Sequence, residues 1–175
     1  MKVRIITDSA SDLTPPYRAE VTVLPMTVTF GTEEFQDGVN LNHRQFYEKL
    51  IEGEDLPTTS QISPAQFEEA FSQAVEAGET VVAVVLSSKL SGTYQSACMA
   101  AGEFPGKVFV VDSENATIGE RVLVERALQL VDEGLEASAI AAQLDREKED
   151  IRLVALLDTL EYLKRGGRVS ASVAL

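Results

Sequence analysis

Two stretches concentrate hydroxyls directly ahead of a helix signature: Pro57-Thr58-Thr59-Ser60-Gln61-Ile62-Ser63-Pro64 and Leu86-Ser87-Ser88-Lys89-Leu90-Ser91-Gly92-Thr93. Free N–H groups and the dipole at a helix N-terminus favour an anion. Hydroxyls add donors without fixed charge, so the two stretches together could hold a carboxylate. Taken singly, Ser and Thr before a helix are ordinary caps. A second polar set gathers where three apolar runs end in an aspartate, at Asp8, Asp112 and Asp158, with Ser9, Ser11, Ser87, Ser88, Ser91, Ser113 and Thr159 beside them. Ligands of open parallel sheets bind beyond the carboxyl ends of the strands, so this edge reads as the ligand side. Each residue of the set, taken alone, reads first as a turn or helix cap.

Other chemistries lack their residues. There is no G-x-x-x-x-G-K-[ST] phosphate loop and no G-x-G-x-x-G dinucleotide fingerprint. Asp8 and Asp12 lie four apart rather than the two an aspartyl phosphotransferase would use. His43 is the sole histidine, stands at a predicted helix start, and reads as a solvated surface residue. Cys98, among Ala97, Met99 and Ala100, reads as a small core residue. Lys164-Arg165-Gly166-Gly167-Arg168 is the densest basic cluster; it reads either as a helix C-terminus with favourable cations or as a docking patch.

The elements that would position these groups alternate. Val3–Thr7, Val21–Leu24, Met26–Phe30, Thr80–Leu86, Val108–Val111 and Ile151–Leu157 read as strands or extended segments. Asn42 caps a helix running to about Glu52, closed by Gly53. Ser63-Pro64 opens a helix whose Phe67, Ala70, Phe71, Ala74 and Val75 form one apolar stripe. Further helices are predicted over about Thr93–Ala101, Gly119–Glu133 and Leu135–Lys148, with a helical turn at Leu160–Arg165. Strand–helix alternation predicts an α/β fold, a three-layer α/β/α sandwich on a mainly parallel sheet. Residues 1–158 form the expected first lobe. Residues 159–175 are the expected connection to, and start of, a truncated second α/β lobe, because Ser170-Ala171-Ser172-Val173-Ala174-Leu175 looks like a helix just beginning.

Composition narrows the class. The 175 residues are 45% hydrophobic and 25% charged, an ordinary globular balance. A formal net charge of −13 argues against nucleic acid and against docking through a basic face on an anionic membrane. The longest apolar run, Val81 to Leu86, is far short of the ~20 residues of a membrane helix. No secretion signal is evident at the N-terminus. One cysteine excludes an internal disulfide framework and a cysteine-rich zinc site, which fits a reducing, cytoplasmic setting.

In order and spacing, several segments jointly resemble the DegV family of bacterial fatty-acid-binding proteins. They are Thr7-Asp8-Ser9-Ala10-Ser11-Asp12-Leu13, Leu24-Pro25-Met26, Phe35-Gln36-Asp37-Gly38, Thr58-Thr59-Ser60-Gln61, Leu86 to Ala97, Val111-Asp112-Ser113 and Leu163-Lys164-Arg165-Gly166-Gly167-Arg168-Val169-Ser170. The resemblance implies a two-lobed protein holding a long-chain fatty acid such as palmitate or oleate between its lobes. It assigns carboxylate binding to Thr59 and Ser91, and contact with phosphate or a kinase partner to Arg168. It further implies a non-catalytic subunit of a two-component fatty-acid kinase, serving phospholipid metabolism, with no cofactor of its own. The partner would bring ATP and make the acyl phosphate. The family's second lobe, with a histidine near the ligand head group, has no counterpart in this sequence. The alternative reading is a stand-alone hydrolase or phosphotransferase working at the Asp/Ser edge through Asp8, Ser9 or Ser91.

Overall fold

The computed structural model describes residues 2–53 and 56–169. In chain order the elements are β1 (Val3–Asp8), β2 (Val21–Leu24), β3 (Thr27–Phe30), β4 (Glu33–Gln36), α1 (His43–Glu52), β5 (Thr58–Ser60), α2 (Pro64–Glu76), β6 (Thr80–Val85), α3 (Thr93–Ala101), β7 (Val108–Asp112), α4 (Thr117–Asp132), α5 (Ala137–Glu147) and α6 (Glu161–Arg165). Four strands form one parallel sheet in the order β2-β1-β6-β7.

The β-branched run of β6 forms the middle of that sheet because it can be buried on both sides. Val81 to Val85 are completely buried, and alternate residues serve opposite layers. Val82 and Val84 join Ile5 and Val111 against Leu123, Val124 and Ala127 of α4 and Ile140 and Leu144 of α5. Val81, Ala83 and Val85 face Phe67, Phe71 and Ala74 of α2 and Ala97 and Ala100 of α3. Helices on both faces complete the α/β/α sandwich. Both α1 and α2 begin with a reciprocal capping box, Asn42 with Gln45 and Ser63 with Gln66.

A second, antiparallel sheet, β4-β3-β5, rises from the carboxyl edge of the first. Sequence reading placed one extended segment here and missed β4 and β5. Their residues, Glu33–Gln36 and Thr58–Ser60, are polar and become strands only by pairing with β3. Gly31, at φ +58°, supplies the left-handed residue of the tight β3–β4 turn. Phe46 of α1 packs edge-on to Phe30, which sits against Phe35, and so fixes α1 over this sheet.

Two expectations are corrected. Ile151–Leu157 is not a strand: it is paired with neither sheet, and Val154 and Leu156 are 89% and 99% exposed. Asp158 therefore ends no strand. Cys98 is exposed rather than core. The buried stripe of α3 is Thr93, Ser96, Ala97 and Ala100, and positions 98 and 99 fall off it. His43 is an exposed first residue of α1. The expected start of a second lobe at residues 170–175 lies outside the described residues.

Candidate functional site

Parallel strands bring the ends of β1, β6 and β7 to one edge. There the aspartates organise loops. Asp8 Oδ1 accepts the Ala10 N–H at 2.9 Å, and its Oδ2 accepts the Leu86 N–H at 2.8 Å, so a single carboxylate ties the end of β1 to the start of the second hydroxyl stretch. Ser11 Oγ donates to the Asp8 carbonyl, and Ser9 Oγ accepts the Met26 N–H where the small sheet begins. Asp112 Oδ1 accepts from the Ser88 and Glu114 N–H groups. The polar edge exists, and these of its residues are engaged as caps and ties.

Burial pushes the Asp8 carboxyl up to about 6 against the two backbone donors that lower it. Beside it lies Glu120, fully buried on α4. Burial first, and the neighbouring Asp8 charge second, push Glu120 up to about 10, so it is neutral at pH 7. Thr7 Oγ1 donates to Glu120 Oε1 at 3.2 Å. Sequence reading missed Glu120, although a signal was present: it lies on the same helical stripe as Leu123, Val124 and Ala127.

The two hydroxyl stretches meet beside each other. Thr59 sits on β5 opposite Val28 of β3, with Thr58, Thr59 and Ser60 all exposed. Two residues on, Gln61 Nε2 donates to Ser96 Oγ of α3 at 3.0 Å, and its side chain fills the space above Gly92. A Cβ at position 92 would lie 2.0 Å from Gln61 Oε1, so glycine permits this approach. Ser91, next to that glycine, is half-buried; its Oγ lies 2.9 Å from Thr93 Oγ1 and accepts the Thr93 N–H at 3.2 Å. Arg168 reaches the same loop from the other end of the chain, its Nε donating to the Leu90 carbonyl at 3.1 Å.

Between these parts lies a cavity of about 750 Å³. Phe46 and Leu50 of α1, with Leu56 and Pro57, give it an apolar lining; Thr58 and Thr59 supply hydroxyls; Tyr162, Arg165 and Arg168 line its other side. Thr59 and Arg168 thus share one cavity, whereas Ser91 belongs to the adjoining loop that Arg168 and Gln61 touch. Phe46 and Leu50, one helical turn apart, were not picked out from sequence as lining residues. Among the described residues no group of three His, Cys, Asp or Glu side chains is arranged to hold a metal ion, and no helix is long and apolar enough to cross a membrane.

An α/β sandwich whose cavity joins an apolar wall to two arginines has the lining of a small-ligand pocket. Residues 2–175 match the family model described as "Uncharacterised protein, DegV family", and the chain belongs to that family. A DegV domain-containing protein of Deinococcus radiodurans is 42% identical over 177 residues, covering 100% of this chain and 63% of that protein. Among solved structures, a fatty-acid-binding DegV family protein from Thermus thermophilus superposes with a TM-score of 0.86 at 38% identity, covering 99% of this chain and 63% of its own. A stearic-acid-binding protein from Eubacterium ventriosum gives 0.81 at 29% identity, covering 98% and 61%. The chain therefore spans about 63% of the length of the relatives it matches.

Proposed function

We propose that this protein binds a long-chain fatty acid such as palmitate or oleate, holding its carboxylate between the Thr59 and Ser91 hydroxyls, and presents it in the cytoplasm to a partner ATP-dependent kinase that forms the acyl phosphate. The observation that carries the reading is the cavity between α1, β5 and α6, apolar along α1 and hydroxyl-lined at Thr58 and Thr59, with Arg168 shared between it and the Ser91 loop. The fatty acids carried by similar DegV structures support the ligand class.

The energetics are consistent. Burying a methylene is worth about 0.8 kcal/mol, so ten contribute on the order of 8 kcal/mol before ordering costs. A hydrogen bond to an ionised carboxylate adds about 1.5–3 kcal/mol. The tail therefore sets affinity, and Thr59 and Ser91 set where the head group lies. Neutral hydroxyls orient the carboxylate without neutralising it, which leaves its oxygen nucleophilic toward a γ-phosphoryl group. Arg168, at the cavity and exposed, suits stabilising phosphate charge or meeting the partner. The alternative of a stand-alone hydrolase or phosphotransferase at Asp8, Ser9 or Ser91 is disfavoured, because Asp8 holds the Ala10 and Leu86 N–H groups, Ser9 the Met26 N–H and Ser91 the Thr93 N–H.

The test is partner-dependent acyl phosphate formation from oleate and ATP, trapped as the hydroxamate. Thr59→Ala and Ser91→Ala should each lower the rate at least about tenfold, the equivalent of one charged hydrogen bond. Unchanged rates in both would remove the site assignment.

A further inference from the structure

Glu120 and Asp8 form a buried carboxyl pair that the fatty-acid reading does not use. Both are completely buried, and the Asp8 charge bears directly on Glu120. Two carboxylates cannot share such a place as ions, because each would lose water and face the other's charge. One proton between them resolves this: a protonated Glu120 donates, and Asp8 accepts. The remaining contacts fit that assignment. Asp8 spends its two oxygens on backbone N–H groups, which an ionised carboxylate holds most strongly. Glu120 receives only the Thr7 hydroxyl on Oε1, and Oε2 has no donor at all. A buried carboxylate oxygen without a donor is costly, while a carboxylic acid places its hydrogen there and needs an acceptor instead. The charged groups that bear on the pair from packed elements are Asp12, after β1, and Asp37, after β4, and both are acidic.

We propose that Glu120 is a positioning residue: as a neutral acid it holds the Asp8 carboxylate on the Leu86 N–H, and so fixes where the Ser87–Ser91 loop starts. The consequence for lipid rests on the proposed function; the effect on the loop does not. Losing the Glu120 proton to solvent places a second charge beside Asp8. The pair must then separate or admit water, and the Leu86 N–H loses its acceptor. Alkaline pH thereby loosens the loop that carries Ser91.

The experiment is hydrogen exchange at the Leu86 amide in ligand-free intact protein, corrected for the intrinsic pH dependence of exchange. Wild-type protection should fall at least about fivefold from about pH 7 to about pH 10, and Glu120→Gln, which keeps a neutral donor, should be flat. A flat wild-type profile, or the same fall in Glu120→Gln, overturns the proposal. Should the variant not fold, ¹³C-carboxyl spectra of the wild type decide. One glutamate must remain untitrated from about pH 4 to about pH 8; titration of every glutamate below about pH 6 overturns the proposal. Oleate uptake is measured in parallel. A Leu86 profile that depends on Glu120 in a protein that takes up no oleate leaves this inference standing and removes the fatty-acid reading. Oleate uptake with identical Leu86 profiles does the reverse.

Discussion

At Gly92 a single methyl group collides with the Gln61 amide, which is the far end of a flexible side chain. Gly92→Ala should therefore fold. Swinging Gln61 away breaks its bond to Ser96 and costs about 1 kcal/mol, measurable by urea denaturation. The same movement separates the Thr59 and Ser91 loops, so oleate affinity should fall more than the stability change alone explains. Wild-type affinity in Gly92→Ala would show that this contact does not set the site. Thr59 itself is exposed, so Thr59→Ala should leave stability within about 0.5 kcal/mol. At this scale the family resemblance singled out Thr59, Ser91 and Arg168 as candidates, which their own residue types and spacing do not. Glu120 is not among them, because a glutamate in the first turn of a helix reads as a favourable surface charge until its alignment with Leu123, Val124 and Ala127 is noticed.

Among the elements, α4 carries the larger part of one core layer, and Leu130 and Leu123 are essentially inaccessible. Leu123→Ala should cost about 2–5 kcal/mol in chemical denaturation. Val154→Ser in the unpaired segment after α5 should change stability by no more than about 0.5 kcal/mol. A large loss at Val154 would mean that this stretch is packed. Helices α1 to α5 were legible because caps and 3.6-residue stripes are local signals. Strands β4 and β5 were not, since Glu33–Gln36 and Thr58–Ser60 owe their conformation to β3 rather than to their own residues. Ile151–Leu157 differs for the converse reason: a short apolar run has strand character, but a strand needs a partner, and it has none among the described residues.

Across the whole molecule, charge sets the pH response. Asp8 and Glu120 bind protons more tightly when folded than their ordinary 3.8 and 4.5. Their contribution is greatest in acid and is lost as pH rises through about 6 for Asp8 and about 10 for Glu120. Carboxylates lowered by cations, such as Glu79 beside Arg4 and Glu147 beside Arg126, act oppositely and stabilise only above their ordinary range. Stability should therefore peak near about pH 5 and decline toward about pH 9, by up to about 1.4 kcal/mol per pH unit for one proton. Glu120→Gln should flatten the alkaline decline in thermal melts; an unchanged slope would place the cause elsewhere.

The most direct test of the central claim is the native mass of the intact protein, as purified and after incubation with oleate. Wild type should carry one long-chain fatty acid, and the Thr59→Ala/Ser91→Ala double variant should release it or fail to reload. Wild-type preparations that remain at the bare polypeptide mass after added oleate, or a double variant that loads as wild type does, would contradict the account.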